Sequence, residues 1–241
     1  MRAVVAIALV GACGGKPPPA PAPPPVAPAP IKRMPIEDST EPDDGVSVVS
    51  AHGHMEPEAV QAGMGPHADE LAACFTSRAG RRRWLGGHVV VHWDIKADGE
   101  VTRVVLAESD LGAWPVEKCV LEIARGATFG KPVGGDAEFV LPLDFKALTQ
   151  SNVWDEDRGH KAIGKQLDAL AKCAKKQAPP DDVTITLYIG PHGMTQSVGF
   201  SSAKTVIDDV WGDCAEKAIM AWRLPDPHGM VAKLAVRYRP R

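Results

Sequence analysis

His88, His92 and Asp94 are the residues of this sequence whose types could together hold a metal ion. They fall within HVVVHWDI, where alternate residues of an extended chain share one face. Imidazole and carboxylate suit a divalent cation, and a metal-bound water would suit hydrolysis. The spacing argues the other way. Two strand residues four apart lie about 13 Å from each other, too far for one ion to bridge with ease. We therefore expect these groups on the solvent face of a strand, with no metal. A periplasmic metal-dependent hydrolase is the alternative they leave. His52 and His54 lie in a polar segment. There is no Gly-rich phosphate loop, no nucleophile elbow and no H-E-x-x-H pair. No catalytic residue and no cofactor is expected. The cluster RAGRRRW, Arg78–Trp84, holds Arg81, Arg82 and Arg83. It could meet anionic lipid or glycan, although a charge run of this kind is ordinarily a solvated loop.

The cysteines are the other reactive set. Five make an odd number. The first, Cys13, follows a basic Arg2, an apolar Ala3–Val10 and the small residues of Val10-Gly11-Ala12. That pattern resembles a bacterial lipobox. It implies a signal peptide over residues 1–12 and a lipid on Cys13, and Gly14 in place of Asp implies the outer membrane. The following residues fit a tether. Nine of the 22 prolines lie between Pro17 and Pro30. Proline fixes φ and lacks an N–H, so this stretch favours polyproline II and extends about 3.1 Å per residue. With the acidic IEDSTEPDD run it makes a linker over residues 13–45. The net charge of −3 shows no basic surplus, so no nucleic-acid partner is expected. No later run approaches the ~20 apolar residues of a membrane span.

Four cysteines remain, Cys74, Cys119, Cys173 and Cys214, and four allow three pairings. An internal repeat selects among them. When Val89 is set over Val183, Val91 falls on Ile185, Trp93 on Leu187, Ile95 on Ile189 and Gly99 on Gly193. Further on, Val104 falls on Val198 and Leu106 on Phe200. Both copies alternate, which predicts a strand with one buried face. Asp98-Gly99 and His192-Gly193 predict hairpin turns. The flanks repeat as well. Met64, His67, Leu71, Cys74 and Phe75 form a helical stripe before the first hairpin, and Ile163, Leu167, Leu170, Cys173 and Ala174 one before the second. After the hairpins come Val116, Cys119, Val120 and Ile123, and then Val210, Cys214, Ala218 and Ala221. A last strand closes each copy, EFVLPLDF or KLAVRYRP. Each copy therefore reads helix, hairpin, helix, strand, with one cysteine on each helix. Equivalent places make Cys74–Cys119 and Cys173–Cys214 the economical pairing, which an oxidising compartment permits.

Each copy resembles the C-terminal domain of TonB-like proteins, and more closely the AgmX/PglI-type domain of myxobacterial lipoproteins. SDLGAWPVEKC, Ser109 to Cys119, carries the resemblance in the first copy, and WRLPDP, with Trp222, Leu224, Pro225 and Pro227, carries it in the second. The first copy has ATFGKP where the Trp-Pro element would stand. The second lacks the S-x-L-G. The resemblance implies an α+β fold of two tandem small domains, at residues 46–148 and 149–241. It implies docking of a peptide strand from an outer-membrane partner, with no catalytic residues.

The expectation is then a non-enzymatic lipoprotein of the cell envelope, facing the periplasm. It would be held at the membrane by its N-terminal lipid and would bind envelope proteins through a sheet edge. Both final strands, Glu138 to Phe145 and Lys233 to Tyr238, are expected at or near sheet edges, and the better candidate for docking is the last, Lys233, Leu234, Ala235, Val236, Arg237 and Tyr238, since only Arg239, Pro240 and Arg241 come after it. A structural spacer without a ligand is the remaining alternative.

Overall fold

Gly87–Ile95 forms β1 and Val101–Ser109 forms β2, as the alternation requires. Between them Gly99 takes φ +95° and donates its N–H to the Lys96 carbonyl at 2.8 Å. That is a tight turn closed by a residue in a region open chiefly to glycine. Val183–Ile189 and Thr195–Ser201 form β5 and β6, the second hairpin. Its turn places Gly193 at φ +69°, where a side chain would collide with the Leu224 carbonyl. From Val91 and Ile185 onward the two hairpins share one register. Val91 pairs with Leu106 and Ile185 with Phe200. Trp93 pairs with Val104 and Leu187 with Val198. In both, the register shifts just before the last pair, Ile95–Val101 and Ile189–Thr195.

The computed structural model describes residues 52–175 and 180–239, all within one compact unit. The expected signal peptide, Cys13, the linker and Pro240 lie outside the described residues. The chain is mixed α+β. Helices α1 (Pro57–Met64) and α2 (Ala68–Ala79) precede the first hairpin, and α3 (Trp114–Gly126) follows it. The third strand, β3 (Ala137–Phe145), returns antiparallel to β1. A two-residue β4 (Asn152–Val153) leads to α4 (Glu156–Ile163) and a 3₁₀ stretch at Gly164–Lys175. After the second hairpin come α5 (Asp209–Met220) and β7 (Ala232–Tyr238). Strand order is β2-β1-β3 in one sheet and β4-β7-β5-β6 in the other. Just ahead of α1, Gly53 donates to the Asp136 carbonyl at 2.6 Å, and His54 exchanges both main-chain bonds with Val133.

The single helices expected before each hairpin are each broken. Pro66 lacks the N–H that would continue α1, and a 3₁₀ turn at Gly65–His67 intervenes. In the second copy Gly164, at φ +51°, ends α4. Both disulfides form as the repeat places them, Cys74–Cys119 and Cys173–Cys214, tying each pre-hairpin segment to the helix after it.

Val89, Val91, Trp93 and Ile95 are buried, as are Val183, Ile185, Leu187 and Ile189. The second strand departs from the expectation of one buried face. Thr186 and Tyr188 are buried too. The first repeat covers them: Thr186 Oγ1 donates to the Ser109 carbonyl at 3.3 Å and Tyr188 Oη to the Gly86 carbonyl at 2.9 Å. Trp84 lies on the Tyr188 ring at 4.6 Å, and the Ser202 N–H donates to the Leu106 carbonyl at 2.8 Å. One continuous core therefore runs through both repeats. The stripe expected on α5 is displaced by one residue. Trp211, Ala215 and Ile219 are buried, and Val210 is exposed.

Candidate functional site

The first sheet ends at β3, and no strand pairs with its outer side among the described residues. Its alternation is offset by its position. Glu138, Val140, Pro142 and Asp144 are exposed, while Phe139, Leu141, Leu143 and Phe145 are half-buried. Pro142 sits opposite Val90 in a ladder without a register shift. It has no N–H to give, so its nitrogen faces outward, as edge strands allow. Val140 and Asp144, two residues to either side, turn their N–H and C=O groups the same way.

Beside this edge lies an apolar cleft of about 540 Å³ between β3 and the first helices. Met64, Leu71 and Phe75 line one wall, and Leu141, Leu143 and Phe145 the other, with Phe75 and Phe145 stacked at 5.0 Å. Gln61, Thr76, Asp144 and Lys146 give the rim its polar groups. An unpaired strand edge next to an apolar trough can hold an extended peptide by main-chain bonds, with alternate side chains entering the trough.

The strand expected to do this, β7, stands differently. Strand β4 pairs in parallel with its first residues, Asn152 with Ala232 and Val153 with Lys233. Leu234, Val236 and Tyr238 are buried. The Lys233 Nζ donates to the Gly86 carbonyl at 3.2 Å and to Asp110 at 3.0 Å, so it serves contact between the repeats. Ala235 and Arg237 are exposed, and Arg237 pairs with Asp182 at 3.4 Å.

The open face of β1 keeps its histidines apart, as the spacing predicts. His88 Nδ1 meets Asp144 at 2.9 Å, whereas His92 Nε2 meets Asp94 at 2.9 Å and Glu138 at 3.5 Å. Glu138 was not legible as a neighbour, because only the β1–β3 register brings it opposite Asp94. Arg103 Nε donates to Asp94 Oδ2 at 2.6 Å. Burial works against ionisation of Asp94, but the Arg103 hydrogen bond and charge, aided by His92, hold its carboxyl below the usual carboxylate range. His54 pairs with Glu56 at 2.7 Å, and His52 lines a small cavity beside Asp136 and Glu138. Arg81, Arg82 and Arg83 are exposed, and the Arg83 carbonyl accepts the N–H groups of Leu148 and Thr149.

A second feature escaped the sequence reading. Glu117, inside the motif of α3, is fully buried. Ser109 Oγ donates to one of its oxygens and the Phe200 N–H to the other, each at 2.7 Å. Desolvation outweighs those bonds and pushes its carboxyl up to about 7. Nothing in a single Glu marks it as buried, and its partner Phe200 lies in the other repeat. No family model, curated protein or solved structure matches the chain, so the chemistry of its surface is carried by its own residues.

Proposed function

We propose that this chain is a non-enzymatic envelope lipoprotein, tethered through Cys13, whose tandem TonB-C/AgmX-like repeats bind an extended segment of an envelope protein by strand addition. One observation carries the reading: the outer edge of β3 is unpaired among the described residues and runs beside an apolar cleft. The first repeat offers the longer edge, while β4 shortens what β7 presents. Among the described residues no helix is long and apolar enough to cross a membrane. The partner is an envelope protein, with an outer-membrane protein as the first candidate.

In-cell crosslinking recovers the partner, and binding is then compared between Val140→Pro and Ala235→Pro, with folding followed by circular dichroism. Loss of an outward N–H at Val140 is expected to weaken binding at least tenfold, with a smaller effect at Ala235. A folded Val140→Pro protein that binds like the parent refutes β3 as the docking edge. Cys13→Ser is expected to release the protein from the outer-membrane fraction, and a variant that still matures and fractionates there refutes the tether.

A further inference from the structure

We propose that His92, Asp94 and Glu138 form a binding site for a divalent transition-metal ion of the zinc type, on the open face of the first repeat's sheet. The site shares β3 with the strand-addition edge but lies on the face away from Leu141 and Leu143 of the cleft, and it does not depend on that reading. His92 Nε2 stands 2.9 Å from Asp94 Oδ1 and 3.5 Å from Glu138 Oε2, and the three ligand atoms all lie within 4.8 Å of one another. Ligands bound to zinc at about 2.0–2.2 Å in a tetrahedron are some 3.3–3.6 Å apart, so small side-chain adjustments suffice. One imidazole and two carboxylates are an ordinary donor set for that ion, with a fourth position left to water.

The fold builds this convergence rather than chance. His92 and Asp94 are two apart on β1 and share a face, and Asp94 sits directly opposite Glu138 on β3. The ligands thus come from two strands locked in one register. Arg103 holds the set from outside. Its Nε donates to Asp94 Oδ2 at 2.6 Å, and its Nη1 is anchored on the Lys204 carbonyl at 2.8 Å. The contact of Arg103 Nη2 with Asp94 Oδ1 is longer, 3.2 Å, and is the one an ion would displace. Outer-shell hydrogen bonds of this kind orient a ligating carboxylate. His92 and Asp94 are half-buried and Glu138 is exposed, and a cavity of about 260 Å³ alongside, bounded by Asp94, Asp136 and Glu138, gives an ion and its water a way in.

The two repeats differ at just this place. The positions equivalent to His92, Asp94 and Glu138 hold Thr186, Tyr188 and Lys233, with Tyr188 opposite Lys233 in the same register. There the face is closed by the other repeat, and a lysine ammonium stands 5.5 Å from the Tyr188 ring. One copy fills the spot with its own half-buried cation. The other keeps it open and surrounds it with an imidazole and two carboxylates.

The test is zinc titration of the full chain by calorimetry, with His92→Ala, Glu138→Gln and, as a control, His88→Ala, whose imidazole pairs with Asp144 instead. The expected result is one equivalent of zinc, bound at least tenfold more weakly by His92→Ala and by Glu138→Gln and equally well by His88→Ala. Zinc should raise the melting temperature of the parent and of His88→Ala only. Circular dichroism verifies each fold, and if His92→Ala fails to fold, the exposed Glu138→Gln variant decides. Absence of saturable binding up to about 0.1 mM zinc, a Kd limit of about −5.5 kcal/mol, overturns the site. So does binding that survives in His92→Ala and Glu138→Gln, or that falls equally in His88→Ala.

Discussion

The Glu117 carboxylate of α3 accepts the Phe200 main-chain N–H of β6 at 2.7 Å, across the boundary between the two repeats. Gly199, the residue before Phe200, has no side chain, and a methyl group there would collide with that carboxylate. Gly212 on α5 likewise leaves room for the Trp114 ring, whose Nε1 donates to Asp213 at 2.9 Å. Two glycines of the second repeat thus receive two side chains of one helix of the first.

Stability should depend on pH through Glu117. Its folded-state value of about 7 lies above the ~4.3 of an unfolded glutamate. The folded chain therefore keeps a proton that the unfolded chain has released. The contribution is full below pH ~4, falls as pH rises toward 7, and is gone above it, a loss of ~4 kcal/mol at most. Urea unfolding of the parent and of Glu117→Gln from pH 4.5 to 7.5 checks this. Parallel stability curves would refute it.

Gly199→Ala should destabilise by about 1–3 kcal/mol, since the buried carboxylate must move and its bond to Phe200 lengthens. Gly126→Ala, where a methyl group meets nothing within 4 Å, is the matched control and should be near neutral or stabilising. Thermal melts of both proteins decide.

Removing either disulfide should cost about 2–5 kcal/mol. Cys74 and Cys119 are 45 residues apart in the chain, and Cys173 and Cys214 are 41 apart. Paired serine variants measure the loss. Because one core serves both repeats, each pair should lower a single unfolding transition rather than split it in two.

Lys233→Met should lower stability by about 1–3 kcal/mol, because the Gly86 carbonyl and Asp110 lose a charged donor. Partner binding by the β3 edge should be unchanged at equal folded fraction. A normal melt together with lost binding would return this lysine to the recognition surface.

Residues close in sequence or repeated in it were the legible ones. The alignment of Val89 with Val183 carries the hairpin register, because cross-strand partners must stay in phase on both sides of a turn of one length. The same symmetry yields the cysteine pairs. What broke the symmetry could not be read. Tyr188 and Thr186 look like solvent-face residues, and only contact with Gly86 and Ser109 of the first repeat buries them. The α5 stripe was displaced for a related reason: Trp211 is buried, and its neighbour Gly212 packs on the Trp114 ring of the first repeat. Glu138 joins His92 only through pairing of strands more than forty residues apart, and β4 is too short to leave a periodic signal.

The bonds that Gly53 and His54 make with Asp136 and Val133 have a mechanical meaning. Any pull on the chain ahead of Gly53 meets these bonds before it reaches α1. Force is passed sideways into the segment that leads straight to β3, and from there along the β1–β3 ladder in the first sheet. Helix α1, which gives Gln61 and Met64 to the cleft, is shielded from tension until those few bonds give way. If the proposed tether holds, a taut chain would leave the cleft intact, and a stronger pull would first peel the chain from the root of β3, so that the proposed anchorage and grip would share one hinge.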